Sequence, residues 1–321
     1  VGCVVAFFSV GFVYGVKSIS EFRVSKGYCI FESSFFCFSI SPLLFLLISA
    51  FLIIVVKRTL QITRYHGPAD VILSAHSPKE ELDARTGFSS VFAAFVSASG
   101  GASVGQYGPL VHLGGTIGSL MNDFKSGFLS KDTFIGCGVA AAIAAGFNSP
   151  IGGIIFAHEA ILRHFSFKAI APIAVSSVVS ATVTNYFFPS GILFQNTDSD
   201  INLLSSVSFS LFLGPFCAII AVVFMKALLF LQANQNRLAS NEINRIVIAA
   251  VFCGVIGGAV PEVLGLGTET VRALLNNEIE TEYLIILLIF KIVATAFCIG
   301  LGMFGGVFSP AIYIGAVSGA I

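Results

Sequence analysis

A glycine-rich segment carrying a proline lies inside an apolar region of the first half of the chain, between Ser97 and Gly115. Its central residues are Gly105-Gln106-Tyr107-Gly108-Pro109. Glycine is unfavourable inside a helix whereas proline is accepted in the first helical turn, so a helix is predicted to begin here. The first N–H groups of a helix have no partner within it, and the helix dipole adds partial positive charge at that end. An anion is therefore predicted to bind at Gly105, Gln106, Tyr107 and Gly108.

A second segment near the end of the chain repeats this arrangement. It reads Gly305-Gly306-Val307-Phe308-Ser309-Pro310. Both segments follow the pattern Gly-x-aromatic-x-Pro and run into an apolar helix. Transporters built from inverted repeats use such half-helices, with the N termini directed at a substrate near the membrane midplane. One glycine-rich stretch is more often a packing surface, but two at corresponding places favour an anion site.

Composition places these segments in a membrane. Apolar residues make up 56% of the chain and charged residues 11%, and the mean hydropathy is +0.93. Soluble domains contain about 25% charged residues. The composition predicts an all-α, multi-pass integral membrane protein, and the net charge of zero gives no indication of a nucleic-acid partner. The seven cysteines are scattered without metal-ligand spacing, so we interpret them as core residues and expect no metal or cofactor.

Hydropathy divides the chain into helical spans, several of them broken. The first helix is predicted over residues 1–16, followed by a polar connection over residues 17–41. The span with the first motif, and the span interrupted between Gly146 and Pro150, are each predicted to form two half-spans. We expect a first membrane repeat over residues 1–188 and an incomplete second repeat over residues 189–321. Because the chain begins and stops inside apolar runs, we expect a fragment of a longer protein.

Lys291 lies in the middle of an apolar helix predicted over residues 283–303. Exposing a lysine to lipid at that depth costs at least about 2.5 kcal/mol, so its side chain should face protein or water. One interpretation is a charge near the transport pathway. The other, which we favour, is a snorkelling or packed structural lysine.

The motifs resemble those of the CLC family of chloride channels and proton-coupled chloride antiporters, the voltage-gated chloride channel family. The first motif resembles the family's Gly-Arg-Glu-Gly-Pro, and the second resembles its Gly-x-Phe-x-Pro. Residues Gly146 to Glu159 are similar to the family's Ala-Phe-x-Ala-Pro-x-x-Gly-x-x-Phe-x-x-Glu. The resemblance covers most of the chain in the family's order and spacing, without the family's C-terminal helices.

The resemblance implies a CLC-type inverted repeat and a homodimer, with a pathway for chloride or a similar small anion in each subunit. Separately, we expect a location in the plasma membrane. It implies that main-chain N–H groups at Val307 and Phe308, with the adjoining Ser309, bind the central anion. A family serine in a Gly-Ser-Gly turn maps onto His66, whose imidazole either contacts the anion or belongs only to the turn. A family tyrosine of the same site lies beyond the last residue of this sequence.

Two departures from the family pattern bear on mechanism. The family's gating glutamate is replaced by Tyr107 and its preceding arginine by Gln106, while the internal proton glutamate of the antiporters is replaced by Ala160. A phenol, with a pKa near 10, is neutral at pH 7 and cannot imitate an anion as a carboxylate does. These replacements favour passive anion conduction. Tyr107 either donates a hydrogen bond to the anion or narrows the outer pathway.

Three alternatives remain at the level of sequence. A coupled antiporter would need His112 or His158 as a substitute proton carrier, although a buried histidine is more often a packed core residue. A non-conducting structural member of the family would have a pathway closed by Tyr107. An intramembrane hydrolase fits the composition alone, but such an enzyme has no need for two anion-facing half-helices.

Overall fold

The structure, a computed structural model, describes residues 1–25, 29–33, 36–77, 80–122, 129–188 and 203–321, and these residues are predominantly helical. The helices of the described ranges are α1 (Gly2–Ser25), α2 (Ser41–Thr59), α3 (Pro68–His76), α4 (Ala84–Gly100), α5 (Tyr107–Asn122), α6 (Lys131–Phe147), α7 (Pro150–Phe156), α8 (Phe167–Phe187), α9 (Leu203–Leu238), α10 (Glu242–Ala259), α11 (Thr268–Leu275), α12 (Thr281–Gly300) and α13 (Phe308–Ala320).

Three small elements were not predicted from the sequence. Strands β1 (Cys29–Ser33) and β2 (Phe36–Ser39) form an antiparallel hairpin. A π-helical turn over Ala157–Leu162 continues α7, and a 3₁₀ turn over Pro261–Val263 follows α10. The hairpin is a minor addition to a fold that is otherwise built from helices.

Six of the described helices are long and apolar enough to cross a membrane: α1, α2, α8, α9, α10 and α12. The multi-pass prediction is therefore confirmed. Helix α5, which carries the first motif, has 16 residues, fewer than the about 20 that a full crossing needs. The predicted half-spans are present as α4 with α5 and as α6 with α7.

The predicted polar connection over residues 17–41 is wrong. Helix α1 continues to Ser25, and the hairpin fills part of the remainder. The prediction ended the helix where charges begin, but Arg23 is buried and its guanidinium donates to the Ser20 hydroxyl over 3.2 Å. A charged residue that is accommodated by its own helix need not end it. Because it lacks lysine and arginine, the stretch around Asp198 and Asp200 is also predicted from sequence to be an external loop, and both residues lie outside the described residues.

The chain forms two compact units that interleave along the sequence. Unit 1 comprises residues 1–18, 55–95 and 106–193, and unit 2 comprises residues 19–54, 96–105 and 194–321. The sequence predicts that the first internal repeat ends at residue 188. The division into compact units does not test this boundary, because a repeat need not coincide with a compact unit. The two-repeat organisation therefore stays a prediction.

In unit 1, helix α5 packs closely on α6 because both present glycine at their contact. A side chain at Gly114 would overlap the carbonyl group of Gly138, and a side chain at Gly138 would overlap that of Gly114. Small residues of this kind let membrane helices approach each other. Helix α6 is also held by α8, whose Ser176 and Ser180 hydroxyls donate to the carbonyl groups of α6 over 2.9 and 2.7 Å. These contacts fix the position of the N terminus of α5 within unit 1.

In unit 2, Lys291 of α12 is fully buried. Its Nζ donates to the carbonyl oxygens of Val263 at 2.8 Å and Gly265 at 3.0 Å, and lies 4.7 Å from the centre of the Tyr313 ring. The interpretation as a packed structural lysine is confirmed. The lysine ties the turn that follows α10 to α12, on which α13 also packs.

Asp83, in unit 1, caps the N terminus of α4. Its carboxylate accepts a hydrogen bond from the hydroxyl of Thr86, and also accepts the backbone N–H of Thr86 at 2.9 Å and of Arg85 at 3.2 Å. The bond from the Thr86 hydroxyl, followed by the backbone bonds, lowers the pKa of Asp83 below its ordinary value. Acidic residues at this end of a helix stabilise it.

Candidate anion-binding site

The first motif starts a helix, as predicted. Helix α5 begins at Tyr107, and the N–H of Leu110 donates to the carbonyl of Gln106 over 3.1 Å, so Gln106 is the N-cap. Pro109 is the third helical residue, where its lack of an N–H breaks no intrahelical bond. The first turn therefore presents its main-chain donors and the positive end of the helix dipole outward from α5.

The second motif has the same register in unit 2. Helix α13 begins at Phe308, and the N–H of Ala311 donates to the carbonyl of Val307 over 2.9 Å. Pro310 is again the third helical residue. The hydroxyl of Ser309 is buried and has no hydrogen-bond partner in the described part of the chain. The two Gly-x-aromatic-x-Pro motifs thus encode the same local geometry.

Within unit 2, Gly105 is joined directly to Gly306. The N–H of Gly105 donates to the carbonyl of Gly306 over 2.5 Å, and the N–H of Gly306 donates to the carbonyl of Gly105 over 2.7 Å. The N–H of Gly105 is therefore already used, which leaves the anion-binding prediction for Gly105 without its main-chain donor. The two hydrogen bonds of Gly105 instead hold the backbone at this residue beside the start of α13.

Gly105 also approaches α13 more closely than any other residue type would allow. A Cβ atom at this position would lie 2.9 Å from the backbone nitrogen and 3.1 Å from the hydroxyl oxygen of Ser309. The neighbouring Gly305 is constrained in the same way, since a Cβ there would lie 2.5 Å from the Cβ of Val104. The glycines of both motifs are needed for this close backbone contact.

Tyr107, at the predicted gating position, is buried in unit 1, with 3% of its surface exposed. Its ring stacks on Phe147 of α6, with centroids 3.8 Å apart and an interplanar angle of 19°. It also lies against Gly146, where a Cβ would be 3.0 Å from the tyrosine ring. The ring is held by the end of α6, which turns away at Asn148 through a left-handed conformation with φ of 52°. The choice between hydrogen bonding to an anion and steric narrowing stays open.

His66 and Gln106 also lie in unit 1. The backbone N–H of His66 donates to the Ser90 hydroxyl over 2.8 Å, while its Nδ1 is buried without a partner among the described residues. Gln106 is 2% exposed, and its Oε1 likewise lacks a described partner. Unit 1 thus holds His66, Gln106, Tyr107 and Gly108, whereas unit 2 holds Gly105, Val307, Phe308 and Ser309.

Ala160 lies in the π-helical turn that continues α7. The preceding Glu159 is exposed. His158 is fully buried, with Nδ1 3.0 Å from the carbonyl oxygen of Ile154 and its ring parallel to that of Phe165 at a centroid distance of 5.2 Å. This environment supports the interpretation of His158 as a packed residue. The methyl side chain of Ala160 offers no proton-accepting group.

One arrangement in unit 1 was missed by the sequence analysis. The rings of His66 and His112 meet edge to face, with centroids 5.8 Å apart. Asp70 accepts the N–H of Gly67 at 2.8 Å and pairs with Arg64. Burial opposes ionisation of Asp70, but the Gly67 N–H and the Arg64 guanidinium together hold the pKa of that carboxyl below its ordinary value. No spacing rule links residues 66 and 112, so only the fold reveals this pair.

Comparison with known proteins agrees with these motifs. The family model described as voltage gated chloride channel matches residues 45–321. The chain is 28% identical over 235 residues to the H(+)/Cl(-) exchange transporter ClcA of Vibrio vulnificus, covering 68% of this chain and 49% of that protein. The chain spans about half to two thirds of the length of the curated relatives it matches.

Solved structures share the fold. A CLC-type fluoride/proton antiporter superposes with a TM-score of 0.79 at 21% identity, over 98% of this chain and 76% of that chain. A slow cyanobacterial Cl-/H+ antiporter gives a TM-score of 0.79 at 18% identity, over 98% of this chain and 75% of that chain. At these identities the likeness concerns the fold alone. Since the family model spans most of the sequence, the chain belongs to the voltage-gated chloride channel family.

Proposed function

We propose that the protein carries chloride, or a similar small anion, passively across the membrane without exchanging protons. The observation that carries this proposal is the state of Tyr107, a buried, uncharged side chain stacked on Phe147 at the gating position. A carboxylate at that position could compete with an anion and take up a proton. A phenol held against an aromatic ring does neither at neutral pH.

Anions bind at the N-terminal turn of α5 in unit 1 and at the N-terminal turn of α13 in unit 2. Helix N termini attract anions through N–H groups and the helix dipole, without a full positive charge. Such partial charges compensate for part of the lost hydration and still let the ion leave, which conduction requires. The matched register of the two motifs, each with proline as the third helical residue, supports this assignment.

Ala160 supports uncoupled transport as well. Proton transfer from the inner side needs a group that titrates in this part of the chain. Ala160 has none, and Glu159 beside it is exposed. Both positions at which the antiporters of this family carry a proton-handling carboxylate are therefore occupied by groups that are neutral at pH 7.

Proton-coupled exchange is the second candidate, and the comparisons support it. The relative from Vibrio vulnificus is named as an H(+)/Cl(-) exchanger, and the two structures are of antiporters. This function would require His112 or His158 as a proton carrier. A non-conducting structural protein is the third candidate, supported by the burial of Tyr107.

We also propose that the protein is a homodimer in the plasma membrane, with one anion pathway in each subunit.

Chloride and proton fluxes measured together distinguish these functions. The full-length protein in liposomes is given an outward chloride gradient, and external chloride and pH are recorded with and without a potassium ionophore. Passive conduction requires the ionophore and moves no protons. Stoichiometric proton uptake would refute passive conduction, and no anion flux would favour the structural protein. In that last case Tyr107→Ala should open the pathway, with Tyr186→Ala as an exposed control. The molar mass of the protein in detergent, measured separately, tests whether it is a dimer.

A further inference from the structure

Arg23 lies in the last turn of α1 and is buried in unit 2, with 5% of its surface exposed. Its Nη2 donates to the Ser20 hydroxyl over 3.2 Å, whereas its Nη1 is buried and has no hydrogen-bond partner in the described part of the chain. Arginine stays protonated in proteins, and buried polar groups are normally hydrogen-bonded. Nη1 therefore needs an acceptor that the described residues do not supply.

The backbone next to Nη1 uses its carbonyl groups elsewhere. The guanidinium lies against the end of α4, since a Cβ atom at Gly101 would overlap Nη1. The carbonyl of Ala98 accepts the N–H of Gly101 at 3.1 Å, and the carbonyl of Gly101 accepts the N–H of Gly265 at 3.0 Å. The partial negative charge of a helix C terminus lowers the cost of burying a cation there, but it is not an acceptor for Nη1. The end of α4 thus holds the guanidinium in place and leaves Nη1 unbonded.

Lys291 of α12 is a second buried cation in the same region of unit 2. It is fully buried, and its Nζ donates to the carbonyl of Gly265 over 3.0 Å. A Cβ atom on Gly265 would lie 3.9 Å from Nη2 of Arg23, so the guanidinium borders that glycine as well. Arg23 and Lys291 interact electrostatically, and like charges repel each other. Unit 2 thus contains two buried positive charges that border one glycine.

Thiols are the acidic groups near these two cations. In the described ranges, the acidic groups that interact electrostatically with Arg23 or Lys291 are Cys253 and Cys298, and neither is a carboxylate. Because buried charges without a counterion are costly, the site needs a negative charge, either from a thiolate or from a bound anion. Cys253 accepts no hydrogen bond from Nη1 of Arg23, so a thiolate at Cys253 would still leave Nη1 unbonded. This observation favours a bound anion.

We propose that a small monovalent anion, such as chloride, is bound at Nη1 of Arg23 in unit 2 as a structural ligand. Such an anion supplies an acceptor for the N–H groups of Nη1 and a negative charge beside the two cations. A water molecule would accept the hydrogen bond but would leave both positive charges uncompensated. This inference goes beyond the proposed transport function and does not rest on it.

A full positive charge suits retention of an anion and not its passage. Conduction requires binding that is weak enough for the ion to leave. At Arg23 the anion makes a charge-assisted hydrogen bond, and its departure would leave a buried charge without a counterion. We therefore expect the anion to stay bound and to stabilise the packing of the end of α1 on the end of α4.

The chloride dependence of stability is the first test. The detergent-solubilised full-length protein is unfolded with urea in mixtures of sodium chloride and sodium gluconate at constant ionic strength. One anion bound only by the folded protein raises the folding equilibrium constant by up to about tenfold for each tenfold rise in chloride concentration. Arg23→Gln should lose this one-site factor. Arg237→Gln, which alters an exposed arginine of unit 2, should respond like the wild type.

Anomalous diffraction from bromide is the second test, and it needs no variant to fold. Crystals of the wild-type full-length protein are grown with bromide in place of chloride. An anomalous peak in contact with Nη1 of Arg23 is expected. Density without an anomalous signal at that position, as water would give, would overturn the site even if bromide is seen at the start of α5 or α13.

The outcomes separate this site from the transport proposal. An equal chloride response of Arg23→Gln and the wild type would overturn the site and leave a thiolate at Cys253 as the counterion. In liposomes, Arg23→Gln should carry chloride to within about twofold of the wild type per folded protein, since independent sites act additively. A larger loss of flux would refute the structural role. A wild-type protein that carries no chloride but binds bromide at Arg23 would refute transport and support the site.

Discussion

Replacing Gly105 by alanine tests the close contact of this residue with Gly306 and Ser309. The added methyl group would lie 2.9 Å from the backbone nitrogen of Ser309 and 3.0 Å from the carbonyl oxygen of Gly306. Both distances are well below ordinary van der Waals contact, and both neighbouring atoms belong to the backbone, which cannot simply rotate away. The chain beside the start of α13 must therefore move, or the bridge between the glycines must break.

The magnitude follows from the kind of contact. Inserting a methyl group into a well-packed site costs about 1–3 kcal/mol, and a broken bridge adds about 1 kcal/mol for each lost hydrogen bond. We expect Gly105→Ala to lower the free energy of unfolding by about 2–4 kcal/mol. The methyl group also covers the N–H of Ser309. If that N–H binds the anion, losing a charge-assisted hydrogen bond of about 1.5–3 kcal/mol lowers chloride affinity at least tenfold.

Two assays on the detergent-solubilised protein measure these effects. Denaturant unfolding reports the change in stability, and calorimetric titration reports chloride affinity. Gly11→Ala is the control, because nothing lies within 4 Å of a Cβ at Gly11 and alanine is the better helix former. If Gly105→Ala matched this control in both assays to within about 0.5 kcal/mol, the close approach and the role of Ser309 would both be refuted.

Three further substitutions test other parts of the structure by denaturant unfolding. Lys291→Met removes two hydrogen bonds to buried carbonyl oxygens and should cost about 3 kcal/mol or more, whereas Lys168→Met, at the exposed start of α8, should change stability by less than about 0.5 kcal/mol. Tyr107→Ala removes the ring stacked on Phe147 and should cost about 3–5 kcal/mol, whereas Tyr107→Phe should cost less than about 1.5 kcal/mol. Asp83→Ala removes the cap of α4 and should cost about 0.5–2 kcal/mol at pH 7. Because the pKa of Asp83 is lowered in the folded protein, its contribution is complete above about pH 4 and is lost as the pH falls through the folded-state pKa, so the difference from wild type should shrink at low pH.

The helix starts were predictable because they depend on residues next to each other in sequence. Glycine before, and proline within, the first turn of α5 and α13 define those starts locally. The break between Gly146 and Pro150 is set in the same way. Apolar length likewise predicted most of the spans. The predicted end of α1 is wrong because charged residues do not end this helix: Arg23 is buried, and one of its guanidinium nitrogens donates to Ser20 of the same helix.

The remaining features depend on contacts between residues far apart in the chain. The bridge between Gly105 and Gly306 joins positions about 200 residues apart, and no periodicity indicates it. The pairing of His66 with His112 has no sequence signature either. The carbonyl partners of Lys291 come from a turn whose shape the sequence pattern does not predict. Such contacts decide which predicted donors remain available to an anion.

The side chain at position 107, the predicted gating position, can change without altering the backbone structure around it. In both motifs the helix start depends on main-chain hydrogen bonds and on glycine and proline, and the bridge involves only backbone atoms of Gly105 and Gly306. The side chain at position 107 instead packs against α6. A carboxylate there can therefore be exchanged for a phenol while the helix N terminus, and with it the attraction for an anion, is retained. We accordingly expect anion binding to depend more on Gly105 than on Tyr107, and coupling to protons to depend on side chains alone.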